Sequence, residues 1–403
     1  MPTAVLDLDL RELPDGLQGL DGYGRALVLI RLGGRPVGQA VLPVAGGRVG
    51  AAELREALIE AVDGPLWERW FRERLEGPGD RPGDPPDAPL PSATVAVCTR
   101  DRPEDLRACL EALGRLADDG QEILVVDNCP ASDAAERLAA GWPRVRYLRE
   151  DRPGLDVARN RALREARSEV VAFTDDDATP DPGWLRALLA GFADPQVLCV
   201  TGLTLPSELE TEAQEWFERL GGFGRGFERT VFDALTHDPL VAGKIGAGVN
   251  MALRRTVLGE VGPFDEALDA GTATRSGGDH DLFTRILAAG YRIVYEPEAL
   301  NWHRHRRTWE ELRESLRGYG TGVYAAWTRS FLVEGELSVP ARALGWLLHG
   351  QLRGLVGSLL RRPGSVPLDL VLAELRGCAA GPRAYLRSRR RTRARLEAEA
   401  RPA

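Results

Sequence analysis

Three consecutive aspartates, Asp175 to Asp177, follow the apolar segment 170–174. Alternate side chains of an extended backbone point to the same side, so the carboxylates of Asp175 and Asp177 would share one face. Because like charges this close repel, the pair is expected to take up a proton or to hold a cation. Carboxylate oxygens are the ligands that Mg²⁺ and Mn²⁺ prefer. The alternative is a solvated loop in which Asp177 or Thr179 caps the next helix.

Two histidines, His303 and His305, stand two residues apart in the segment Trp302-His-Arg-His305. In an extended chain their imidazoles face the same way, and a neutral imidazole is a common metal ligand. The spacing therefore makes a second candidate for metal binding. The alternative is a surface pair in a basic segment.

Two further aspartates, Asp127 and Asp279, stand where a carboxylate could bind a substrate or act as a base. Asp127 ends the segment Val125-Val126-Asp127, where a carboxylate can accept a hydrogen bond from a base or a ribose, or form an Asx-turn. Asp279 follows two glycines at the expected start of a helix. It could take a proton from an acceptor hydroxyl, which needs a base near neutral pH. The alternative for Asp279 is an N-cap, since aspartate is a favoured capping residue.

A glycine-led turn at Gly154 opens a helix that carries Arg159 in its first turns. A guanidinium can neutralise a diphosphate or hold a carboxylate with two hydrogen bonds. The segment thus predicts either an anion-binding arginine or a structural ion pair with an acid such as Asp127.

The elements that position these residues begin at Ser92. Short apolar segments there alternate with helical ones, which predicts an α/β fold with a mostly parallel sheet and helices on both faces. Ligands bind such sheets at the carboxyl ends of the strands, where Asp127 and Asp175 are expected. We predict strands over 94–98, 122–127, 145–148 and 170–174, helices over 104–116, 132–140, 155–166 and 184–193, and, after a less regular stretch, helices over 297–327 and 340–362.

Flanking segments differ from this core in composition. Residues 1–76 read as a small N-terminal α/β domain, with a hairpin over 26–44 and a helix over 51–75. The proline- and glycine-rich stretch 77–91 is a linker. Residues 92–330 would form the main domain, and 331–403 a helical C-terminal extension with a basic run at 387–395.

Composition narrows the classes of protein. The chain has 403 residues, 43% of them hydrophobic, which is enough for a sizeable core, and its net charge of −8 argues against a nucleic-acid partner. Five cysteines, an odd number without CxxC spacing, fit a reducing compartment better than a disulfide framework. The N-terminus lacks a basic region before its apolar residues, and no apolar run is long enough for a membrane span. We therefore expect a cytoplasmic protein, with peripheral contact at the inner face of a membrane as an option.

The order of these motifs along the chain resembles that of a known protein family. The motifs follow one another along one scaffold of alternating strands and helices. In order, they are a strand followed by Thr-x-x-x-Pro at 99–103, Val-Val-Asp127, Gly-x-x-x-Ala-Arg-Asn160, Asp-x-Asp177, Gly-x-Asp-x-Asp-Leu282 and a late His303. The stretch 95–320 resembles family 2 glycosyltransferases of the GT-A fold. The resemblance implies inverting transfer of a sugar from a nucleoside-diphospho-sugar, with a UDP-sugar as the expected donor, to an acceptor hydroxyl.

The resemblance also implies roles for individual residues. Asp279 would be the catalytic base, and Gly278 stands where the family often has a further acid. Asp175 and Asp177, with His303, would bind Mn²⁺ or Mg²⁺, while Asp176 could replace Asp177 as the ligand. Substrate or nucleotide contacts would come from Thr99, Arg100, Asp127, Asp156, Arg159, Asp175, Asp176, Gly248, Asn250 and His280.

Two rival hypotheses remain. A nucleotidyltransferase also places acids on such a sheet, but it usually wraps the triphosphate with a glycine-rich loop after the first strand, and here residues 98–103 contain no glycine. A non-catalytic carbohydrate-binding or scaffold protein would not need Asp127, Asp175, Asp177, Asp279 and His303 together. The acceptor of a transferase of this kind could be a lipid-linked glycan, in glycan, cell-envelope or glycosylated-metabolite biosynthesis.

Overall fold

The computed structural model describes residues 1–62, residue 67 and residues 89–399. Its N-terminal part is a three-stranded sheet of β1 (Thr3–Asp9), β2 (Arg25–Leu32) and β3 (Arg35–Pro43), with the helix Ala51–Ala61 packed on it. The predicted hairpin is confirmed as β2 and β3, whereas β1, which pairs parallel to β2, was not predicted. The rest of the predicted helix 51–75 and most of the predicted linker 77–91 lie outside the described residues.

A larger sheet forms the centre of the molecule. Its strands are β4 Ala93–Thr99, β5 Glu122–Asn128, β6 Val145–Glu150, β7 Val170–Asp175, β8 Ala178–Pro180, β9 Val197–Pro206, β10 Thr230–Phe232, β11 Asn250–Arg254 and β12 Arg292–His303. They lie in the order β10-β12-β9-β11-β7-β4-β5-β6, and the short β8 pairs with β12. The four strands β7, β4, β5 and β6 are mutually parallel, as the alternating pattern predicts.

Helices cover both faces of this sheet, because its strands are apolar on both sides. On one face Leu106 and Trp184 belong to a buried cluster, and on the other Ala158 and Ile286 do. The helices are Pro103–Leu113, Ala134–Ala140, Leu155–Glu165, Trp184–Ala190, Glu212–Arg219, Val257–Glu260, Gly278–Ala288 and Trp309–Arg329. The predicted fold class is confirmed.

The second half of the sheet departs from the sequence prediction. Residues 292–303 form β12, so a helix beginning at 297 is wrong, and the ten-residue β9 was missed. Both faces of β9 are buried, which removes the alternation of apolar and polar residues that marks a half-exposed strand. A register shift between Glu296 and Asn301 breaks the pattern of β12 as well. The helix itself starts after Thr308, whose hydroxyl accepts the backbone N–H of Glu311.

The C-terminal extension is helical, as predicted. A helical path from Val339 to Leu359, with a wider turn at Leu347–Gln351, confirms the helix expected over 340–362. The helix Leu368–Glu399 then packs along Trp309–Arg329. Within the described residues, no helix is both long and apolar enough to cross a bilayer.

Candidate active site

A cleft of about 900 Å³ opens along the carboxyl ends of the parallel strands. The register sets Asp127 of β5 beside Thr99 of β4, and Asp175 of β7 beside Cys98 of β4. The predicted strand-end acids therefore meet at one edge of the sheet. Helix Trp309–Arg329 closes the other side of the cleft with Leu312, Leu316, Tyr319 and Val323.

Asp175, Asp177 and His303 gather at this edge, and one ligand atom from each lies within 4.8 Å of the others. Pairing between β8 and β12 causes this meeting, since it sets His303 opposite Ala178, the residue after Asp177. His303 Nε2 lies 3.2 Å from Asp177 Oδ1, and the Asp177 side chain is 3% exposed. Two carboxylates and one imidazole form a donor set that suits Mn²⁺, and Mg²⁺ less well because of the nitrogen ligand.

The middle aspartate turns away from this cluster. Asp176 accepts a hydrogen bond of 2.8 Å from the Thr99 hydroxyl and one of 3.2 Å from Arg102 Nη1. Burial and the charge of Asp177 raise the pKa of Asp176 to about 7. The geometry therefore favours Asp177 over Asp176 as the metal ligand and gives Asp176 a supporting place under Thr99.

Cationic side chains offset the charge of Asp177. Arg102 Nη1 lies 2.9 Å and Arg306 Nη1 3.3 Å from Asp177 Oδ2. Burial alone would raise the pKa of Asp177, but the hydrogen bond from His303 and the charges of His303, Arg306 and Arg102 together hold it below its ordinary value. Burial and the charge of Asp177 raise the pKa of Asp175. The site thus keeps at least one firmly ionised carboxylate.

A hydrogen-bond chain extends from His303 into the protein. His303 Nδ1 lies 3.0 Å from His305 Nδ1, and His305 Nε2 lies 2.7 Å from Glu218 Oε1. Burial lowers the pKa of His305 and favours its neutral form. If His305 Nε2 donates to Glu218, His305 Nδ1 accepts from His303 and leaves His303 Nε2 free to bind a metal. The second histidine therefore orients the first, a role that the sequence pair did not distinguish from direct ligation.

Aromatic rings hold the two imidazoles in place. Phe223 meets the His303 ring edge-on at 5.1 Å, and Phe217 meets the His305 ring at 4.5 Å. Tyr319 lies against both phenylalanines. None of these rings was predicted, because they come from segments without a motif.

Asp279 lies in the cleft at the start of the helix Gly278–Ala288. Its Oδ2 accepts the backbone N–H of Gly248 at 2.7 Å, and its Oδ1 accepts that of His280 at 2.8 Å. A carboxylate that accepts two N–H groups at a helix N-terminus is held in one orientation. The predicted position of Asp279 at a helix start is confirmed, and the carboxylate still faces the cleft.

A buried ion cluster underlies this carboxylate. Arg159 Nη1 lies 3.1 Å from Asp156 Oδ1 and 2.8 Å from Asp269 Oδ2. The side chains of Arg159 and Asp156 are 5% and 1% exposed. Burial and the charge of Asp269 raise the pKa of Asp156 well above its ordinary range, and burial also raises that of Asp269. The ion pair that the sequence left as the alternative for Arg159 is present, although its partners are Asp156 and Asp269 rather than Asp127.

The missing side chain at Gly278 makes room for this cluster. A Cβ placed on Gly278 would lie 2.0 Å from Asp156 Oδ2. Asp156 therefore brings a carboxylate to the place where residue 278 has no side chain. That oxygen has no hydrogen-bond partner among the described residues.

At the carboxyl end of β5, Asp127 also has a carboxylate oxygen without a hydrogen-bond partner among the described residues. Asp127 is fully buried, and its Oδ2 accepts a hydrogen bond of 2.9 Å from the Tyr147 hydroxyl. Its Oδ1 has no partner within the described part of the chain, and burial raises the pKa of Asp127. Thr99 and Arg100 line the cleft nearby, and Arg100 is half exposed.

Three other predicted residues fall in different places. Gly248 and His280 line the cleft, and His280 Nε2 is unpartnered among the described residues. Asn250, in contrast, is fully buried beneath the cleft. Its amide binds Trp184 Nε1 and the carbonyl oxygens of Leu203 and Ala299. We therefore correct the expectation for Asn250, whose hydrogen bonds join neighbouring strands.

The chain is similar in sequence to known glycosyltransferases. Residues 94–262 match the family model described as glycosyl transferase family 2. The chain is 29% identical over 229 residues to a pre-mycofactocin glycosyltransferase of Mycobacterium tuberculosis, covering 55% of this chain and 45% of that protein. It is 25% identical over 251 residues to glycosyltransferase AglE of Haloferax volcanii, covering 59% of this chain and 75% of that protein. The chain thus spans about half the length of the Mycobacterium protein.

A solved structure shares the fold. The mannosyltransferase PcManGT of Pyrobaculum calidifontis, in complex with GDP-Man and Mn²⁺, superposes with a TM-score of 0.52 at 19% identity. The superposition covers 79% of this chain and 94% of that one. The solved structure shows that the fold is shared, and the match over residues 94–262 with the relatives above supports a glycosyltransferase of family 2.

Proposed function

We propose that this protein transfers a sugar from a nucleoside-diphospho-sugar to an acceptor hydroxyl with inversion, aided by a divalent cation. The cluster of Asp175, Asp177 and His303 carries the proposal, because it lies in the same cleft as the oriented carboxylate of Asp279. When bound, the cation would supply Lewis-acid stabilisation of the departing diphosphate. Mn²⁺ fits the mixed carboxylate and imidazole set best.

The donor nucleotide is proposed to lie along the carboxyl edge of β4, β5 and β7. The free Oδ1 of Asp127 could accept an N–H of the base or a ribose hydroxyl, and a UDP-sugar stays our prediction for the donor. Arg100, which lines the cleft, would stack on the base. Arg102 and Arg306 are 38% and 42% exposed, so they could turn from Asp177 to the diphosphate.

Asp279 is proposed to take the proton from the acceptor hydroxyl. The acceptor oxygen then forms a bond to the anomeric carbon from the face opposite the diphosphate. The bond from that carbon to the diphosphate oxygen breaks, and the nucleoside diphosphate leaves with the electron pair. A single displacement inverts the anomeric centre and needs one carboxylate base. Arg159, Asp156 and Asp269 would hold the floor of the site in place.

We propose a hydroxyl on a glycan as the acceptor, with a lipid-linked glycan as the leading candidate. Biosynthesis of glycans, the cell envelope or a glycosylated metabolite would be the setting. The relatives' names include a pre-mycofactocin glycosyltransferase and a succinoglycan biosynthesis protein of Rhizobium meliloti. These acceptor classes differ widely, so the fold alone does not select among them.

A donor screen tests the proposal. Thermal midpoints would be measured with Mn²⁺ and a panel of nucleoside-diphospho-sugars, because a ligand that binds the native state raises the midpoint. The donor that stabilises the protein would then be incubated with acceptors, and the anomeric configuration of the product read by NMR. A product of inverted configuration is expected. Retained configuration, pyrophosphate release from a nucleoside triphosphate, or no turnover with any donor would contradict the proposal.

A further inference from the structure

Helix Val339–Leu359 buries polar as well as apolar side chains and leaves several large apolar side chains exposed. Its buried residues include the polar Gln351 and Ser358. Gln351 donates to Cys378 Sγ, and the Ser358 hydroxyl donates to the Val366 carbonyl. Part of the side that faces the protein is thus polar, whereas a row of apolar side chains faces out.

The outward side forms an apolar stripe with steps of about four residues. Leu344 is 55% exposed, Leu348 49% and Leu359 58%. A soluble helix normally buries such a stripe, so its exposure indicates an apolar partner. We call this stripe the outer leucine face; it comprises Leu344, Leu348, Leu352, Val356, Leu359 and Leu360.

Charge selects among the partners that could cover the outer leucine face. The sequence holds four arginines and no acid between Glu336 and Asp369, although the whole chain carries a net charge of −8. Arg353, Arg361 and Arg362 are exposed, whereas Arg342 pairs with Asp238. A two-fold interface with a second copy would bring the arginines of both copies to one surface, with no acid in residues 337–368 to pair with them, which is unfavourable. An anionic surface with an apolar interior matches both the charge and the stripe.

We propose that the outer leucine face and its arginines dock this protein on the surface of an anionic lipid bilayer. The helix would lie in the interface with its leucines among the acyl chains and its arginines at the headgroups. This contact is independent of the proposed transfer reaction. The docked helix is nevertheless connected to the active-site cleft. It packs through Val339 and Ala343 on a cluster that includes Val323, and Val323 lines the cleft.

Vesicle flotation tests the proposal on the full chain, without donor or acceptor. Vesicles of phosphatidylcholine, with and without phosphatidylglycerol, would be compared at low and high salt. We expect flotation with the anionic vesicles and less of it at high salt, since charge attraction to lipid is screened. Leu348→Glu with Leu352→Glu should reduce the bound fraction at least tenfold. Arg361→Gln with Arg362→Gln should reduce it about tenfold.

Matched variants separate this effect from a general loss of surface apolarity or charge. The double variant Ile59→Glu with Leu235→Glu replaces two large apolar side chains elsewhere on the surface, which are 62% and 96% exposed. Arg55→Gln removes an arginine that is 67% exposed. Both controls should float like the unsubstituted protein, with unchanged thermal midpoints.

Three results would overturn the inference. One is no flotation with anionic vesicles at low salt, and another is a leucine variant that floats as well as its control. The third is a dimer, seen by light scattering after gel filtration, that the leucine variant dissociates, because the face would then bind a second copy. Loss of transfer activity alone bears on the proposed function and not on this contact.

Discussion

The three aspartates at the end of β7 are consecutive in sequence, but their side chains have different partners. Asp175 and Asp177 face His303, while Asp176 points under Thr99. The alternation of an extended backbone predicted which two share a face. That alternation could not predict the third candidate ligand, because His303 arrives through the pairing of β12 with β8.

The metal cluster gives the first prediction. Asp177→Asn should lower the affinity for Mn²⁺ at least tenfold in the presence of a nucleoside diphosphate, since a neutral amide replaces the ionised ligand. Electron paramagnetic resonance of free Mn²⁺ measures the affinity. Asp133→Asn, at an exposed acid paired only with Arg137 among the contacts described, is the control. Transfer that persists in excess EDTA would refute the role of the metal.

The hydrogen-bond chain behind His303 gives the second prediction. Glu218→Gln keeps the shape but weakens the acceptor for His305, and such outer partners typically contribute ten- to a hundredfold to metal affinity. The same resonance titration should show weaker Mn²⁺ binding with an unchanged thermal midpoint. The control is Glu212→Gln, on the same helix. Equal affinities in both variants would mean that Glu218 does not orient His303.

Asp279 gives the third prediction. Asp279→Asn should lower kcat by about two to four orders of magnitude, because an amide cannot take the proton of the acceptor. Donor affinity, measured by calorimetry, should stay within a few-fold. The amide leaves either Gly248 or His280 with a poorer N–H acceptor, so the thermal midpoint must be compared as well. If donor binding or folding fails instead, Asp279 is a structural cap.

At the scale of elements, the first half of the sheet follows from its pattern and the second half does not. Strands β4 to β7 are short, apolar and separated by helices, and each was predicted within a few residues. Strands β9 and β12 were missed, because burial of both faces and a register shift remove the alternation. Asp269, which completes the arginine cluster, lies in an irregular loop at a φ of 68° and carries no motif. Contacts between segments distant in sequence determine the structure of these parts, so their local sequence pattern could not predict it.

The start of the helix Gly278–Ala288 gives the fourth prediction. Gly278→Ala should lower the free energy of unfolding by roughly 1–3 kcal/mol, because its Cβ would displace the buried Asp156 carboxylate. Gly259→Ala is the control, since no atom lies within 4 Å of its Cβ and alanine favours a helix. Urea denaturation compares the two variants. A Gly278→Ala protein as stable as the control would mean that Asp156 can move at little cost.

At the scale of the whole molecule, the N-terminal sheet docks on the transferase domain. Leu29 of β2 is buried with Leu203 and Tyr295 of the central sheet. Arg31 lies 2.6 Å from Asp181, and Arg25 lies 2.6 Å from Glu215. The sequence predicted a separate domain here without a partner surface, since neither an ion pair nor an apolar contact across the chain leaves a local pattern.

This docking gives the fifth prediction. Leu29→Ala should lower the free energy of unfolding by about 2–5 kcal/mol, because it opens a cavity between the two sheets. Val41→Ala, at a position of β3 that is 57% exposed, should change it by far less. Hydrogen exchange would show whether β1 to β3 lose protection before the central sheet does. Equal effects of the two variants would mean that Leu29 contributes little to docking.

The helix Glu212–Arg219 contacts both the N-terminal sheet and the histidine pair of the candidate active site. Glu215 accepts hydrogen bonds from Thr3 and Arg25 of the N-terminal sheet, and Glu218, less than one turn later, holds His305 behind the candidate metal ligand His303. Any shift of this helix when the N-terminal sheet detaches would also move the group that orients His303. Coupling between two sites is reciprocal, so a cation that prefers the docked form must in turn favour docking by the same free energy. The strength of Mn²⁺ binding would then report on a domain that contributes no ligand to it.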